Sequence, residues 1–221
     1  MTVRAVVFDL WGTLGRWPEG ESGAFRHRWA SHVGVRVEDI DALWYGPGAY
    51  ERRETGSIAS AIRSVCDALG VRADVDELVS WRLDFARRGL VPSPGALSTL
   101  DELQVRGIRV GVVTNCTEDV ALVWNESPFA RAVDAAVFSA TAGWMKPDRR
   151  IYELACAELG VEPSDCLFVG DGANDELGGA QRAGMTSVLI HEAGQDPVWE
   201  GLREWSGLRI TSIPQVLDLL G

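Results

Sequence analysis

The sequence predicts an α/β fold, a Rossmann-like parallel sheet with helices on both faces that carries an inserted all-helical cap. Three observations predict it. Short β-branched apolar runs alternate with helical patterns of about ten residues or more. Each later run follows a glycine placed as a helix C-cap or turn, at Gly107, Gly160 and Gly184. Residues 16–89 break the alternation and carry helical patterns only.

The first run, Val3 to Phe8 (VRAVVF), is expected to be a buried strand. Helical patterns follow at Gly23 to Val33, Val37 to Trp44, Ser57 to Leu69 and Val75 to Arg88, with turns at Gly34, Gly46-Pro47-Gly48 and Gly70. The segment VPSPG, Val91 to Gly95, returns the chain to the alternating pattern. Strands are then expected at Arg109 to Val113, Cys166 to Val169 and Thr186 to Ile190, and helices at Ala96 to Gln104, Asp148 to Leu159 and Asn174 to Ala183. The expected division is a core of residues 1–15 and 90–221 and a helical cap of residues 16–89. Inserted after the first strand, the cap would cover the carboxyl ends of the strands, where open α/β sheets place their ligands.

At 221 residues the chain can bury a full-sized core without covalent staples. No apolar run reaches the roughly 18 residues of a membrane span, and the first one runs into Asp9 without the features of a secretory signal. A cytoplasmic protein is expected. Cys66, Cys116, Cys156 and Cys166 form no CxxC pair, so they are expected to be reduced, buried apolar residues. With 21 basic against 32 acidic residues the net charge is −11, which opposes binding to a nucleic-acid backbone. An anionic substrate therefore needs a local positive centre. Of the 21 basic residues all but Lys146 are arginine. A lysine retained in that background suggests a place for a compact point charge, although drift is an equal account on composition alone.

Four short constellations carry chemistry. Asp9 leaves the first strand into a turn with Gly12 and Thr13, which suits a nucleophile or a metal ligand and equally a turn-capping carboxylate. Thr114 and Asn115 end the next strand, where they could hold phosphate oxygens or simply cap the following helix. Lys146 precedes Pro147 at a helix start and could neutralise a carboxylate and a phosphate, or stand exposed. Asp171 and Asp175, four apart across the turn GDGAND, can converge on a hard divalent cation, or belong to an ordinary strand-to-helix turn.

Together and in this order, these motifs resemble the haloacid dehalogenase superfamily of phosphatases and related hydrolases, in the branch with a small helical cap after the first strand. The likeness includes KPDRRIYELA and VGDGANDELGGAQRAGM. It implies that Asp9 is the nucleophile that accepts a phosphoryl group, that Thr114 binds its oxygens and that Lys146 steadies both. It also implies a Mg²⁺ site made by Asp9, the backbone carbonyl of Trp11 and Asp171, with Asp175 ligating or orienting a bound water. The partner implied is a small phosphorylated molecule.

Position 11 departs from the phosphatase pattern Asp-x-Asp-Gly-Thr. The missing second aspartate protonates the leaving oxygen and later activates water, and the Trp11 indole N–H yields no proton at neutral pH. Such help is worth roughly 10²–10⁴-fold, so alkoxide leaving groups should suffer most and acyl or aryl phosphates least. Three functions follow: a slow or specialised Mg²⁺-dependent phosphohydrolase, with Glu118 or a cap residue as a candidate replacement acid; a 2-haloacid dehalogenase, whose halide leaves without a proton; or a non-catalytic binding protein. Dehalogenases use no metal and lack an acid at the position of Asp171, which favours the first. Trp17, Trp29, Trp44 and Trp81 are expected to be cap core more than substrate lining.

Overall fold

The structure is a computed structural model and describes residues 2–16, 23–191, 199 and 202–220. Trp17 lies outside the described residues. The main sheet contains β1 (Ala5–Phe8), β4 (Arg109–Thr114), β5 (Ala135–Phe138), β6 (Cys166–Gly170), β7 (Thr186–Ile190) and β8 (Leu208–Ile210), in the order β5-β4-β1-β6-β7-β8. All neighbours are parallel. The strands β5 and β8 add to the four that the sequence predicts.

Alternation along β1 sorts its side chains onto two cores. Val6 and Phe8 pack with Val112, Val169 and the helix α6 (Ala96–Val105), whereas Ala5 and Val7 pack with Phe168 and the helices α9 (Arg149–Leu159) and α10 (Glu176–Ala183). Phe8 is in register with Val112 on one side and Val169 on the other. The residues just beyond, Asp9, Thr114 and Asp171, therefore end three adjacent strands at one edge. From β1 the sheet grows outward both ways, so this edge is the crevice where strand order reverses.

Five helices form a lobe after β1: α1 (Ala24–Val33), α2 (Val37–Trp44), α3 (Ala49–Glu54), α4 (Ile58–Leu69) and α5 (Val75–Gly89). The helix α4 shows why the segment is helical. Ser57 accepts a hydrogen bond from the Ser60 amide at its start, Ile58, Ile62, Val65 and Cys66 bury one face, and left-handed Gly70 ends it. The lobe has its own core, in which Trp29 packs edge-on against Trp44 at 5.7 Å and tilted against Phe25 at 5.6 Å. Trp81 is half-buried on the lobe surface, with Arg28 over its ring at 3.7 Å.

The chain passes between the two bodies on a short antiparallel ribbon, β2 (Gly15–Arg16) with β3 (Val91–Pro92). The helix α5 bridges them, since its Phe85 belongs to the lobe core and its Ala86 to the sheet core. Polar ties to the segment after β4 add to this: Arg82 pairs with Asp119 at 3.0 Å, Arg87 with Glu126 at 2.8 Å, and Glu118 accepts from the Ile58 amide at 2.9 Å. No described helix is long and apolar enough to cross a membrane.

Trp29 is fully buried at the centre of the lobe. Its replacement, Trp29→Ala, should destabilise the protein by about 3–5 kcal/mol, measured as a fall in the urea midpoint. A change below about 1 kcal/mol would mean that the lobe is not packed through this ring.

Candidate active site

Asp9 follows β1 directly, and its amide donates to the Val169 carbonyl at 2.8 Å, which pins the carboxylate beside β6. The turn after it relies on Gly12, whose φ is +84°; a Cβ there would stand 2.6 Å from Asp171 Oδ2. Opposite lies Lys146, 3 % exposed, whose Nζ donates to Asp9 Oδ1 at 2.5 Å and to Glu176 Oε2 at 2.5 Å. Asp9 Oδ2 is buried and has no hydrogen-bond partner. One oxygen of this carboxylate is thus clamped and the other is available.

Asp171 projects from the end of β6, accepting from the Ala173 amide at 2.9 Å and from the Trp199 indole at 3.1 Å. Glu176 begins α10, is fully buried, and accepts from the Gly172 amide at 2.9 Å through its second oxygen. Gly170 leaves it space, since a Cβ there would lie 2.2 Å from Glu176 Oε1. Oxygens of Asp9, Asp171 and Glu176 all lie within 4.8 Å of one another. This donor set suits a hard divalent cation.

Burial raises the pKa of Asp9 above the usual carboxylate value, with Lys146 opposing the shift and Asp171 adding to it. Burial likewise pushes Glu176 up to about 8, against the pull of Lys146 and with a further rise from Asp9. For Lys146 burial works against the ammonium, but the charges of Asp9 and Glu176 outweigh it and hold the pKa above the ordinary lysine value. A single ammonium faces more carboxylate than it can neutralise.

Of the remaining sequence-predicted residues, Asp175 is the one placed against expectation. Asn115 spends both ends of its amide on the backbone of Lys146, donating to its carbonyl at 3.0 Å and accepting from its amide at 2.7 Å. It positions the lysine. Thr114 is fully buried, and its hydroxyl makes one long contact, 3.4 Å, to the Asn115 carbonyl. Trp11 stands half-buried in the cavity wall. Asp175 does not join the carboxylate cluster: its side chain is exposed and pairs with Arg182 at 2.8 Å.

The reason is local. The sequence spacing predicts a helix from Asn174, but Asn174 and Asp175 take left-handed φ values of 52° and 57°, so the α-helix starts at Glu176. The turn aims Asp175 outward and brings Glu176 inward. Glu176 was missed, and its signal is an acid at i with buried alanines at i+4 and i+7, Ala180 and Ala183. Glu118, a candidate acid, is engaged with the amide at the start of α4.

A cavity of about 370 Å³ opens over Asp9, with Lys146, Asp171 and Glu176 on its floor and α1, α2, α3 and α5 contributing its opposite wall. That size accommodates a small organic molecule.

Removing the ammonium tests the electrostatics directly. With divalent ions chelated, Lys146→Met should cost about 3–5 kcal/mol, because it leaves buried carboxylates unpaired. Unchanged thermal stability would mean that these groups are neutral in the folded protein.

Residues 3–184 match the haloacid dehalogenase-like hydrolase family. The chain is 30 % identical over 208 residues to (S)-2-haloacid dehalogenase 4A of Burkholderia cepacia, covering 90 % of this chain and 87 % of that one. It is 34 % identical over 212 residues to a phosphatase of Mycobacterium tuberculosis, covering 88 % and 90 %. A haloacid dehalogenase-type phosphatase structure from Thermococcus onnurineus superposes with a TM-score of 0.71 at 18 % identity, covering 99 % of this chain and 98 % of that one. That likeness concerns the fold.

Proposed function

The chain belongs to the haloacid dehalogenase-like hydrolases, and within that family we propose that it hydrolyses a small phosphomonoester, with Asp9 as nucleophile and Mg²⁺ held by Asp9, Asp171 and Glu176. The observation that carries this reading is the gathering of three carboxylates around one buried ammonium, with one oxygen of Asp9 left without a partner. A site that bound a neutral group or a halide would gain nothing from Asp171, whose charge opposes that of Asp9. When bound, the cation would supply the positive charge that draws phosphoryl oxygens towards Asp9 in an acidic protein.

The chain's own groups do the rest. Lys146 holds Asp9 Oδ1 and keeps the carboxylate ionised and oriented, so that Oδ2 faces the phosphorus. The hydroxyl of Thr114, fully buried behind the cavity's lining, would meet a phosphoryl oxygen only after giving up its long contact with the Asn115 carbonyl. The helical lobe acts as a cap that shields the transfer to Asp9 from bulk solvent, after which water must reach phosphorus to release the group.

A dehalogenase is the second reading, favoured by Trp11, since halide departure requires no acid, and by the relative in Burkholderia cepacia. The two separate in one assay. With Mg²⁺ the protein should hydrolyse p-nitrophenyl phosphate, EDTA should stop it, and Asp9→Asn should abolish it. Metal-independent release of chloride from 2-chloropropionate would overturn the proposal. Silence on p-nitrophenyl phosphate, acetyl phosphate and 2-chloropropionate would point to a binding protein.

Replacing the third carboxylate separates it from its neighbour. Glu176→Gln should raise the Mg²⁺ concentration for half-maximal activity by about 10- to 100-fold, whereas Asp175→Asn should leave it unchanged. The opposite ranking would restore Asp175 as the ligand.

A further inference from the structure

We propose that the natural substrate is an aryl phosphate, the phosphomonoester of an uncharged phenol-type alcohol. This rests on the phosphohydrolase reading and deepens it by naming the leaving group. Three features converge on it: the character of the wall, the commitment of the cavity's cations, and the residue at position 11.

The wall facing the carboxylates is aromatic. Trp11, Phe25, Trp44, Tyr45, Tyr50 and Phe85 all line the cavity. Phe25, Trp44 and Phe85 are rooted in the lobe core, while Tyr45 is exposed and Tyr50 half-buried, which leaves tyrosine surface for a planar group.

The cations of that wall are already matched with acids. Among the described lining residues, Arg26 pairs with Asp41 and donates to the Tyr45 hydroxyl at 2.6 Å. Arg53 pairs with Glu54 at 3.0 Å and bonds the Trp44 carbonyl, and Arg82 pairs with Asp119 at 3.0 Å and donates to Thr117 at 3.0 Å. A carboxylate or second phosphate on the substrate would have to displace one of these pairs. A neutral ring displaces none.

Trp11 sets the leaving group. A phenol ionises near the value for tyrosine, about 10, whereas an alkanol ionises far higher, close to water, and departs much more slowly without a proton. Of the other carboxylates lining the cavity, Glu176 is held by Lys146 and the Gly172 amide and Asp171 by the Ala173 amide and Trp199, while Glu54, on α3 of the lobe, pairs with Arg53 through one oxygen and keeps the other buried without a hydrogen-bond partner. In the first step a lone pair of the Asp9 carboxylate forms a bond to phosphorus. The bond from phosphorus to the aryl oxygen breaks, and the phenolate leaves with that electron pair and takes a proton from solvent. Water then attacks phosphorus, the bond to Asp9 breaks, its electron pair restores the carboxylate, and one proton of the water passes to solvent. Overall, one water is consumed and one phenol and one hydrogenphosphate are released.

The test compares substituted phenyl phosphates, ethyl phosphate, acetyl phosphate and phosphoglycolate in the presence of Mg²⁺, and measures calorimetric binding of phenylphosphonate and methylphosphonate. Phenyl phosphate should exceed ethyl phosphate in kcat/KM by at least about 100-fold, with rates across the phenyl series falling steeply as leaving-group pKa rises. It should also exceed acetyl phosphate, which has the better leaving group but no ring. Phenylphosphonate should bind about tenfold more tightly than methylphosphonate, and Tyr45→Ala and Tyr50→Ala should each narrow that gap without loss of helical circular dichroism. Ethyl phosphate or phosphoglycolate turned over as well as the aryl esters would overturn this inference and leave the phosphohydrolase reading standing. No turnover of any phosphate would overturn both.

Discussion

A buried ammonium shared by two carboxylates is the constraint on which the rest of the site depends. Lys146 bonds Asp9 and Glu176, and it comes from neither of their elements. Burying any one of these charges costs several kcal/mol, so the three must arrive together and stay in register. The surroundings hold them there. Asn115 fixes the lysine's backbone from the end of β4, and Tyr152 donates to the Glu176 carbonyl at 2.8 Å from α9. The ring of Phe168 lies 5.6 Å below the ammonium. Residues in or beside β1, β4, β6, α9 and α10 thus converge on one charge, which ties the geometry of the sheet edge to it.

The chain's preference for arginine makes the same point from the other side. Where a carboxylate is met across a seam, the protein uses a planar fork: Arg87 reaches both oxygens of Glu126, and Arg82 spans Asp119 and Thr117. At the floor of the cavity a fork would be too wide to sit between two carboxylates while leaving the second Asp9 oxygen unobstructed. A point charge on a thin stem fits, and that is where the lysine is found.

Much of this was legible in the sequence because it depends on residues adjacent to strand ends. Asp9, Thr114 and Asp171 each end a strongly patterned strand, so pattern places them at one edge, while Lys146, before a helix, is brought to them only by the resemblance to the family. The parts that were not legible depend on turns and on weak patterns. Asp175 and Glu176 differ by one position, and which of them faces inward is decided by two left-handed residues that no periodicity announces. The strand β5 reads AAVF, too short and alanine-rich to stand out, and α3 reads AYERRE, which lacks an apolar stripe. Asn115 illustrates a different limit. Its residue type correctly suggested a hydrogen-bonding role, but only the fold reveals that its partner is the backbone of Lys146, thirty-one residues away in the chain.

Trp11 gains a second meaning once the lobe is in view. In the sequence it is a subtraction, an acid lost from a turn that otherwise fits proton transfer. In the structure its indole borders the same cavity as the lobe's rings, so the substitution that removes a proton donor also extends the aromatic wall down to the nucleophile. The two effects select in the same direction. A phosphate leaving group that departs without a proton must be a weak base, and among such groups the phenolates are also flat and aromatic. A wall that favours such a group needs no acid behind it, and a site without an acid turns over little else. The change at position 11 is therefore coherent with the lobe around it, and its cost to catalysis depends on what the lobe admits.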